Sequence, residues 1–308
     1  MGMVYNLPGA RRLKPFAEAS YAFSRKTLNY SFDFEFLSGP MTRTRWNLAA
    51  GKVTSDYNIS TGIPPFMNAA TTLFLRRNHL KLFEKDFASL LFSTDIVNGL
   101  TLGASFELAD RRPLTNHSNF SFYATAGRRF TENIPPSMSG RPELFEPHRA
   151  ALASFSVSWT PQYYYRIRDG RKQMAYSRYP TLGLRYNRGI PEIAGSKTQF
   201  EQLEASFSHS FTRRLLGTLE YGFSVGIFID TTYMGFQDYR QFRADPLIFG
   251  ETWQGAGFRS VQYYQLATNK PYAVLHGRLS SRNLLLKRIP ALALRNFSEQ
   301  VRFAARIE

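Results

Sequence analysis

Residues 203–230 read LEASFSHSFTRRLLGTLEYGFSVGIFID, and no other stretch restricts the fold as tightly. Leu203, Ala205, Phe207, His209 and Phe211 share one parity, against Glu204, Ser206, Ser208 and Ser210. After a break at Thr212-Arg213-Arg214, Leu215, Gly217, Leu219, Tyr221, Phe223, Val225, Ile227 and Ile229 share a parity, opposed by Leu216, Thr218, Glu220, Gly222, Ser224 and Gly226. Side chains alternate faces along a strand, so each run has one apolar face and one small or polar face. The break suits a hairpin turn. The second run exceeds the average of about six residues for strands in soluble domains. Strands of roughly ten residues, apolar on one face and joined by tight turns, are the pattern of a β-barrel that crosses a membrane.

Composition narrows the alternatives. Mean hydropathy is −0.32, which argues against a helical membrane protein, whereas a barrel keeps modest hydropathy because half of each strand faces a polar lumen. Aromatics reach 15%, with 27 Phe and 17 Tyr, which favours strand. There is no cysteine, so disulfides, cysteine-ligated zinc and thiol catalysis are excluded. The net charge of +16 calls for an anionic partner, either nucleic acid or a phosphate-rich membrane surface. The opening MGMVYNLPGARRLKPFAE lacks an apolar core with a cleavage site, so a chain bound for an outer membrane is expected to be a fragment or to have lost its leader.

Other runs repeat the alternation. Thr27 to Phe36 and Thr42 to Ala50 form a second hairpin around Ser38-Gly39-Pro40. Asn98-Gly99 launches Leu100 to Leu108, for which Asn119 to Arg129 is the expected return. Ala70 to Phe83 is compatible with strand or helix. Lys81 to Phe92 is equally ambiguous, with Leu82, Phe83, Phe87, Leu90 and Leu91 on one possible helical face. Ala151 to Trp159 alternates and continues into Tyr163-Tyr164-Tyr165, which turns at Asp169-Gly170 and returns to Tyr179-Pro180; its outer part should project beyond a membrane. Ser260 to Leu266 and Tyr272 to Leu279 read as a hairpin, Leu284 to Pro290 as a turn or short helix, and Val301 to Ile307 as a last strand. Long connections lie at Thr131 to Arg149 and Thr231 to Gly257. The expected fold is therefore all-β: one antiparallel transmembrane barrel over residues 1–308, roughly twelve strands, incomplete, with long loops on one side and short turns on the other.

The segments SRYPTLGLRYNRGIPEIAGS (177–196), MGFQDYRQF (234–242), YYQLATNKPYAVLHGRL (263–279) and LLLKRIP (284–290) resemble the C-terminal region of a family of Bacteroidota outer-membrane proteins. Its members are usually named for an N-terminal carboxypeptidase-regulatory-like domain. The region is a domain of unknown function that resembles the barrels of BamA-type surface antigens. The resemblance implies an outer-membrane barrel that here lacks its N-terminal sandwich domain and closing strands. It singles out Tyr179, Pro180, Gly189, Asp238, Tyr239, Phe242, His276 and Pro290 as structural motif positions. The carboxypeptidase label belongs to the other domain and assigns no peptidase activity.

The chain offers little catalytic chemistry. His79, His117, His148, His209 and His276 have no metal-ligand spacing, and no GxSxG, Walker or GxGxxG motif occurs. His209 reads as a hydrogen-bonded interfacial side chain and His276 as lumen-facing. Asp238, with Arg240 and Arg243 near, reads as one half of a structural ion pair. Basic residues accompany aromatics at Arg76-Arg77, Arg128-Arg129, Tyr163 to Lys172 and Arg282 to Arg288, spread over many links, which fits anionic headgroups better than nucleic acid. The expected function is that of a non-enzymatic outer-membrane barrel in envelope biogenesis, transport or surface binding. Its partners would be membrane lipids, lipopolysaccharide among them, with no cofactor and no nucleic acid. The alternative is a soluble basic β-protein that binds nucleic acid or another polyanion.

Overall fold

The computed structural model describes residues 5–7, 11–58, 65–116, 119–123, 129–135, 140–213, 217–244, 261–281 and 299–308, with Gly127, Met138, Phe258 and Ile289 between them. In chain order the strands are β1 (Tyr5–Leu7), β2 (Arg11–Ala22), β3 (Thr27–Ser38), β4 (Thr44–Asp56), β5 (Leu82–Val97), β6 (Leu100–Pro113), β7 (His148–Trp159), β8 (Tyr164–Arg168), β9 (Arg171–Tyr176), β10 (Thr181–Gly189), β11 (Gln199–Arg213), β12 (Gly217–Tyr233), β13 (Arg240–Gln241), β14 (Ala267–Thr268), β15 (Tyr272–Ser281) and β16 (Glu299–Ile307). Helix α1 (Pro65–Leu75) lies between β4 and β5. A 12-stranded antiparallel sheet runs β1-β2-β3-β4-β5-β6-β7-β10-β11-β12-β15-β16, beside the two-stranded pairs β8-β9 and β13-β14. Among the described residues no pairing joins β1 to β16.

Register gives the sheet two unlike faces. Directly paired residues share a face. On one face Leu13, Phe36, Trp46, Phe92, Ala104, Phe155, Tyr186, Leu203 and Ile227 pair in succession from β2 to β12. This outer row is apolar or aromatic throughout. One register step along, Asn47, Leu91, Ser105, Ser154, Asn187 and Gln202 form the inner row from β4 to β11. Inner side chains bond across strands: Ser154 Oγ to Asn187 Oδ1 at 2.7 Å, and Asn187 Nδ2 to Gln202 Oε1 at 2.9 Å. The outer apolar side chains stay open to the surroundings, with Phe32 60% exposed, Phe223 43% and Ile227 46%.

The outer apolar zone ends in a charged belt. Arg25 and Lys52 reach Glu84 at 3.3 and 3.0 Å, Arg112 reaches Asp86 at 2.6 Å, and Arg188 reaches Glu201 at 3.4 Å. Beyond this belt lie the long links 57–81, 114–147, 190–198 and 234–271, with the tight turn 23–26. At the other end lie the short links 39–43, 98–99 and 214–216, the β8-β9 hairpin and link 282–298, of which only Ile289 is described.

Several readings of the sequence need correction. Lys81 to Phe92 is not helical: β5 alternates Phe83, Lys85 and Phe87 inward against Glu84 and Asp86 outward, and an inner face that accepts Leu91 blurs its period. Residues 119–123 are not the return of β6. That edge is taken by β7, and Phe122 instead donates its N–H to the Leu73 carbonyl at 2.8 Å and stacks on Phe74 of α1, with ring centres 5.3 Å apart. Residues 261–266 form turns rather than a strand, and β15 pairs with β12 and β16. The β8-β9 hairpin rises, but from the end that carries the shortest turns. Leu284 to Arg288 and Pro290 lie outside the described residues, as do Arg128 and His117.

Candidate functional site

The links at the long-link end fold back over the inner face of the sheet. The segment Met234-Gly235-Phe236-Gln237-Asp238-Tyr239 leaves β12 and closes a short 3-10 turn over Phe236–Asp238, with Tyr239 N–H bonded to the Phe236 carbonyl at 3.3 Å. Phe236 is fully buried. Around it stand Tyr57 after β4, Phe83 of β5, Phe145 of the 114–147 link, Phe200 of β11 and Tyr264. Ring centres lie 5.8 Å apart for Tyr57 and Phe236, and 5.5 Å for Phe145 and Phe236. These partners come from strands widely separated in the sheet. The sheet must therefore curl around the segment, which acts as a plug.

Two charged clamps hold the plug to the wall. Arg111 of β6 donates from Nη1 to both Asp238 oxygens, at 2.8 and 2.9 Å. The two side chains are 5% and 3% exposed, so the pair is desolvated on both sides. Arg240 pairs through Nε with the Glu204 carboxylate of β11 at 2.7 Å and donates from Nε to the Tyr272 hydroxyl at 3.2 Å, and Tyr272 also bonds Glu204. The Tyr272 ring lies where Gly226 lacks a side chain; a Cβ there would stand 2.3 Å from the ring. Phe242 packs against Tyr272 with ring centres 5.1 Å apart, and its carbonyl accepts from Asn58 Nδ2 at 3.5 Å. The pair β13-β14 ties the plug to residues 267–268.

Tyr264 docks the remainder of the link. Its hydroxyl donates to Asp56 Oδ1 at 2.5 Å and accepts the Lys81 N–H at 2.7 Å. Burial and the Asp56 charge both push the Tyr264 phenol upward, so it stays a neutral donor. Lys81 is only 3% exposed, and its ammonium donates to Thr131 Oγ1 at 2.6 Å and to the Glu132 carbonyl. Burial outweighs the Glu132 charge and brings its pKa down to about 8.

The motif positions read from the sequence fall in three places. Asp238, Tyr239 and Phe242 belong to the plug, and Gly189 pairs with Phe200 in its wall. Asp238 does form a structural ion pair, but with Arg111 rather than Arg240, which is engaged by Glu204. His276 lies on the inner face, paired with Gly222 of β12. Tyr179 and Pro180 stand at the opposite end, and Pro290 lies outside the described residues. His209 donates from Nε2 to the Arg178 carbonyl at 3.0 Å, and its Nδ1 bonds the Tyr221 hydroxyl at 3.1 Å. Sequence reasoning missed Arg111, Glu204 and Tyr264. The only available signal was a charge at an inner parity position for the first two, and that does not name a partner.

A cap stands at the other end of the trough. Lys172 of β9 is buried, donates its backbone N–H to the Pro40 carbonyl at 2.9 Å and points its ammonium at Asp95 from 3.5 Å. Arg43 pairs with the same carboxylate through Nε at 2.8 Å and Nη2 at 2.9 Å. The hairpin is thus fastened over the β4-β6 side. On the β10-β15 side a cavity of about 1240 Å³ stays open.

Among the described residues no group of three or more His, Asp or Glu is placed to hold a metal ion. A search of curated proteins finds no match. A family profile described as "Family of unknown function (DUF5686) C-terminal domain" matches residues 5–305. With nearly its whole length inside that profile, the chain belongs to this family of unknown function.

Proposed function

We propose that the chain forms the wall and plug of an integral outer-membrane β-barrel, non-enzymatic, whose long-link end is closed from within. The observation that carries this reading is the outer row of apolar and aromatic residues that crosses β2 to β12, opposite an inner row of Asn, Ser and Gln interrupted by Leu91. Residues 88–96 of β5 rise roughly 26 Å at about 3.3 Å per residue. With the usual tilt of about 40° this length gives about 20 Å of height, a little short of the apolar band of about 25 Å in outer-membrane barrels. The charged belt at Lys52, Glu84, Asp86 and Arg112 then sits at the headgroups. A plugged interior favours a gated or surface-binding role in envelope biogenesis or transport over an always open pore. Acidic Asp238 is held at both carboxylate oxygens by Arg111 Nη1, which supports a structural rather than an acid-base role.

Trp46 and Trp159, 42% and 46% exposed on the outer face, supply the test. In a Trp253→Phe background reconstituted in lipid, acyl chains brominated near the bilayer centre should quench Trp46, chains brominated near the headgroup should quench Trp159, which ends β7, and the folded band should migrate differently from the boiled one on a gel. Phe223→Arg, on the outer face, should cost about 2–4 kcal/mol in bilayers. Ser224→Arg, one residue along and facing inward, should be tolerated far better. Recovery without detergent, no quenching and tight salt-dependent DNA binding would replace this reading with the soluble polyanion-binding one.

A further inference from the structure

The cavity at the short-link end is lined unlike the plugged end. Its volume, about 1240 Å³, exceeds the usual small-molecule range of about 300–1,000 Å³, so it has room for more than one ring. Ser208, Ser210 and Thr212 come from successive inward positions of β11 and present hydroxyls along one wall. Thr212 is engaged by Thr218 at 2.9 Å, while Ser208 and Ser210 are exposed. Facing them, Tyr163, Tyr176 and Tyr179 at the hairpin base supply aromatic surfaces, with Tyr176 already stacked on Tyr164 at 4.9 Å.

Charge adds the decisive feature. Among the described lining residues the one acid is Glu220, which is taken by Arg278 through Nε at 2.7 Å. Arg178 lines the cavity, and Arg213, on the outward parity at the last position of β11, reaches its rim; both are exposed and form no ion pair with any described residue. His276 faces the same space and makes no hydrogen bond to a described residue. A guanidinium matches the paired oxygens of a phosphate, hydroxyl side chains match sugar hydroxyls, and tyrosine faces cover the C–H face of a sugar ring.

We propose that this cavity binds a phosphate-bearing saccharide, with Arg178 and Arg213 on the phosphate and the β11 hydroxyls and hairpin tyrosines on the sugar. The inference rests on the barrel reading, because it needs the inner face to be a lumen that opens at this end. The ligand is either a free sugar phosphate or the headgroup of a phosphoglycolipid.

Titration calorimetry of the whole chain in detergent, with maltose 1-phosphate, maltose and inorganic phosphate as probes, tests it. Maltose 1-phosphate should bind about tenfold or more tighter than either fragment, the equivalent of one charge-assisted contact. Arg178→Gln and Arg213→Gln, both exposed and outside the plug, should each lose about tenfold of that affinity. Liposomes with and without a phosphoglycolipid separate the sources: competition by the glycolipid identifies the headgroup, and unchanged sugar-phosphate affinity identifies the free ligand. Equal affinity for phosphate and maltose 1-phosphate, or no loss in either variant, overturns the proposal. Heat-shifted gel migration of the same samples keeps the two ideas apart, since a chain that embeds in lipid but binds no sugar phosphate refutes only the cavity.

Discussion

The two ends of the trough share strands and inner alternation yet differ in nearly everything else. At the long-link end the plug fills much of the space and leaves a cavity of about 470 Å³ beside it. Phe236 and Tyr57 are almost fully buried, and the charges there pair at short range. At the short-link end the hairpin covers one side only, and the other side keeps open hydroxyls and two guanidiniums without an acid partner among the described residues. The strands cannot cause this contrast, because they run through both ends. Among the described residues the links do: 234–241 and Tyr264 return aromatic side chains to the interior, while 39–43 and 98–99 are too short to return anything. The wall sets the periodicity, and the links decide which stretch of the interior is filled.

The contrast breaks first at its charges. Asp238→Ala would leave the Arg111 guanidinium buried without its counter-charge, a change that costs about 3–5 kcal/mol when one partner of a buried pair is removed. The expected result is a lowered unfolding midpoint and fast hydrogen exchange over residues 234–244. Arg43→Ala at the other end should cost less, about 1–3 kcal/mol. Arg43 is 38% exposed, and the Asp95 carboxylate it leaves behind keeps the Lys172 ammonium and the Thr101 hydroxyl as partners. Equal losses at both sites would mean that the two ends are equally desolvated, contrary to the packing.

Steric tests sharpen the same contrast at smaller scale. A Cβ at Gly226 would meet the Tyr272 ring, which is tethered by Glu204 and Arg240 and cannot step aside alone. Gly226→Ala should cost about 1–3 kcal/mol, the usual range for overpacking. A Cβ at Gly183 would meet only Ser206 Oγ at 2.5 Å, a hydroxyl free to change rotamer. Gly183→Ala should therefore leave the unfolding midpoint nearly unchanged; a loss as large as at Gly226 would show that the open end is packed as tightly as the closed one.

Much of the wall was legible because a strand has a period of two and the faces differ in polarity. The hairpins β3-β4 and β11-β12, the β8-β9 hairpin and the last strand follow from alternation and turn residues alone. β5 escaped because Leu91 faces inward, so an apolar side chain stands at a position where alternation calls for a polar one. The plug escaped for a different reason. MGFQDYRQF carries a visible mixture of aromatic and charged residues, but Asp238 finds Arg111 127 positions earlier and Tyr264 finds Asp56 208 positions earlier. Local pattern holds no record of such pairings. Nearby Arg240 was the natural partner to expect for Asp238, and tertiary geometry gave it to Glu204 instead.

The smallest effect separates two buried lysines that the sequence treats alike. Lys172 faces the Asp95 carboxylate, whereas Lys81 faces the neutral oxygens of Thr131 and Glu132. Burial lowers the Lys81 pKa from 10.5 to about 8, so the folded protein holds this proton less tightly than the unfolded chain does. Stability must then rise with pH across that window. The burial penalty is fully present below pH 8, fades as pH rises through the folded value, and is gone above the unfolded one. The slope near pH 9 approaches about 1 kcal/mol per pH unit. Hydrogen exchange at the 261–268 amides, which Tyr264 ties to the Lys81 backbone, should slow relative to its intrinsic rate as pH goes from 8 to 10. Lys81→Met removes the titrating group and should flatten that dependence while it keeps the backbone N–H that Tyr264 accepts. A slope that survives the substitution would move its origin to another group and leave Lys81 a bystander in the docking of this link.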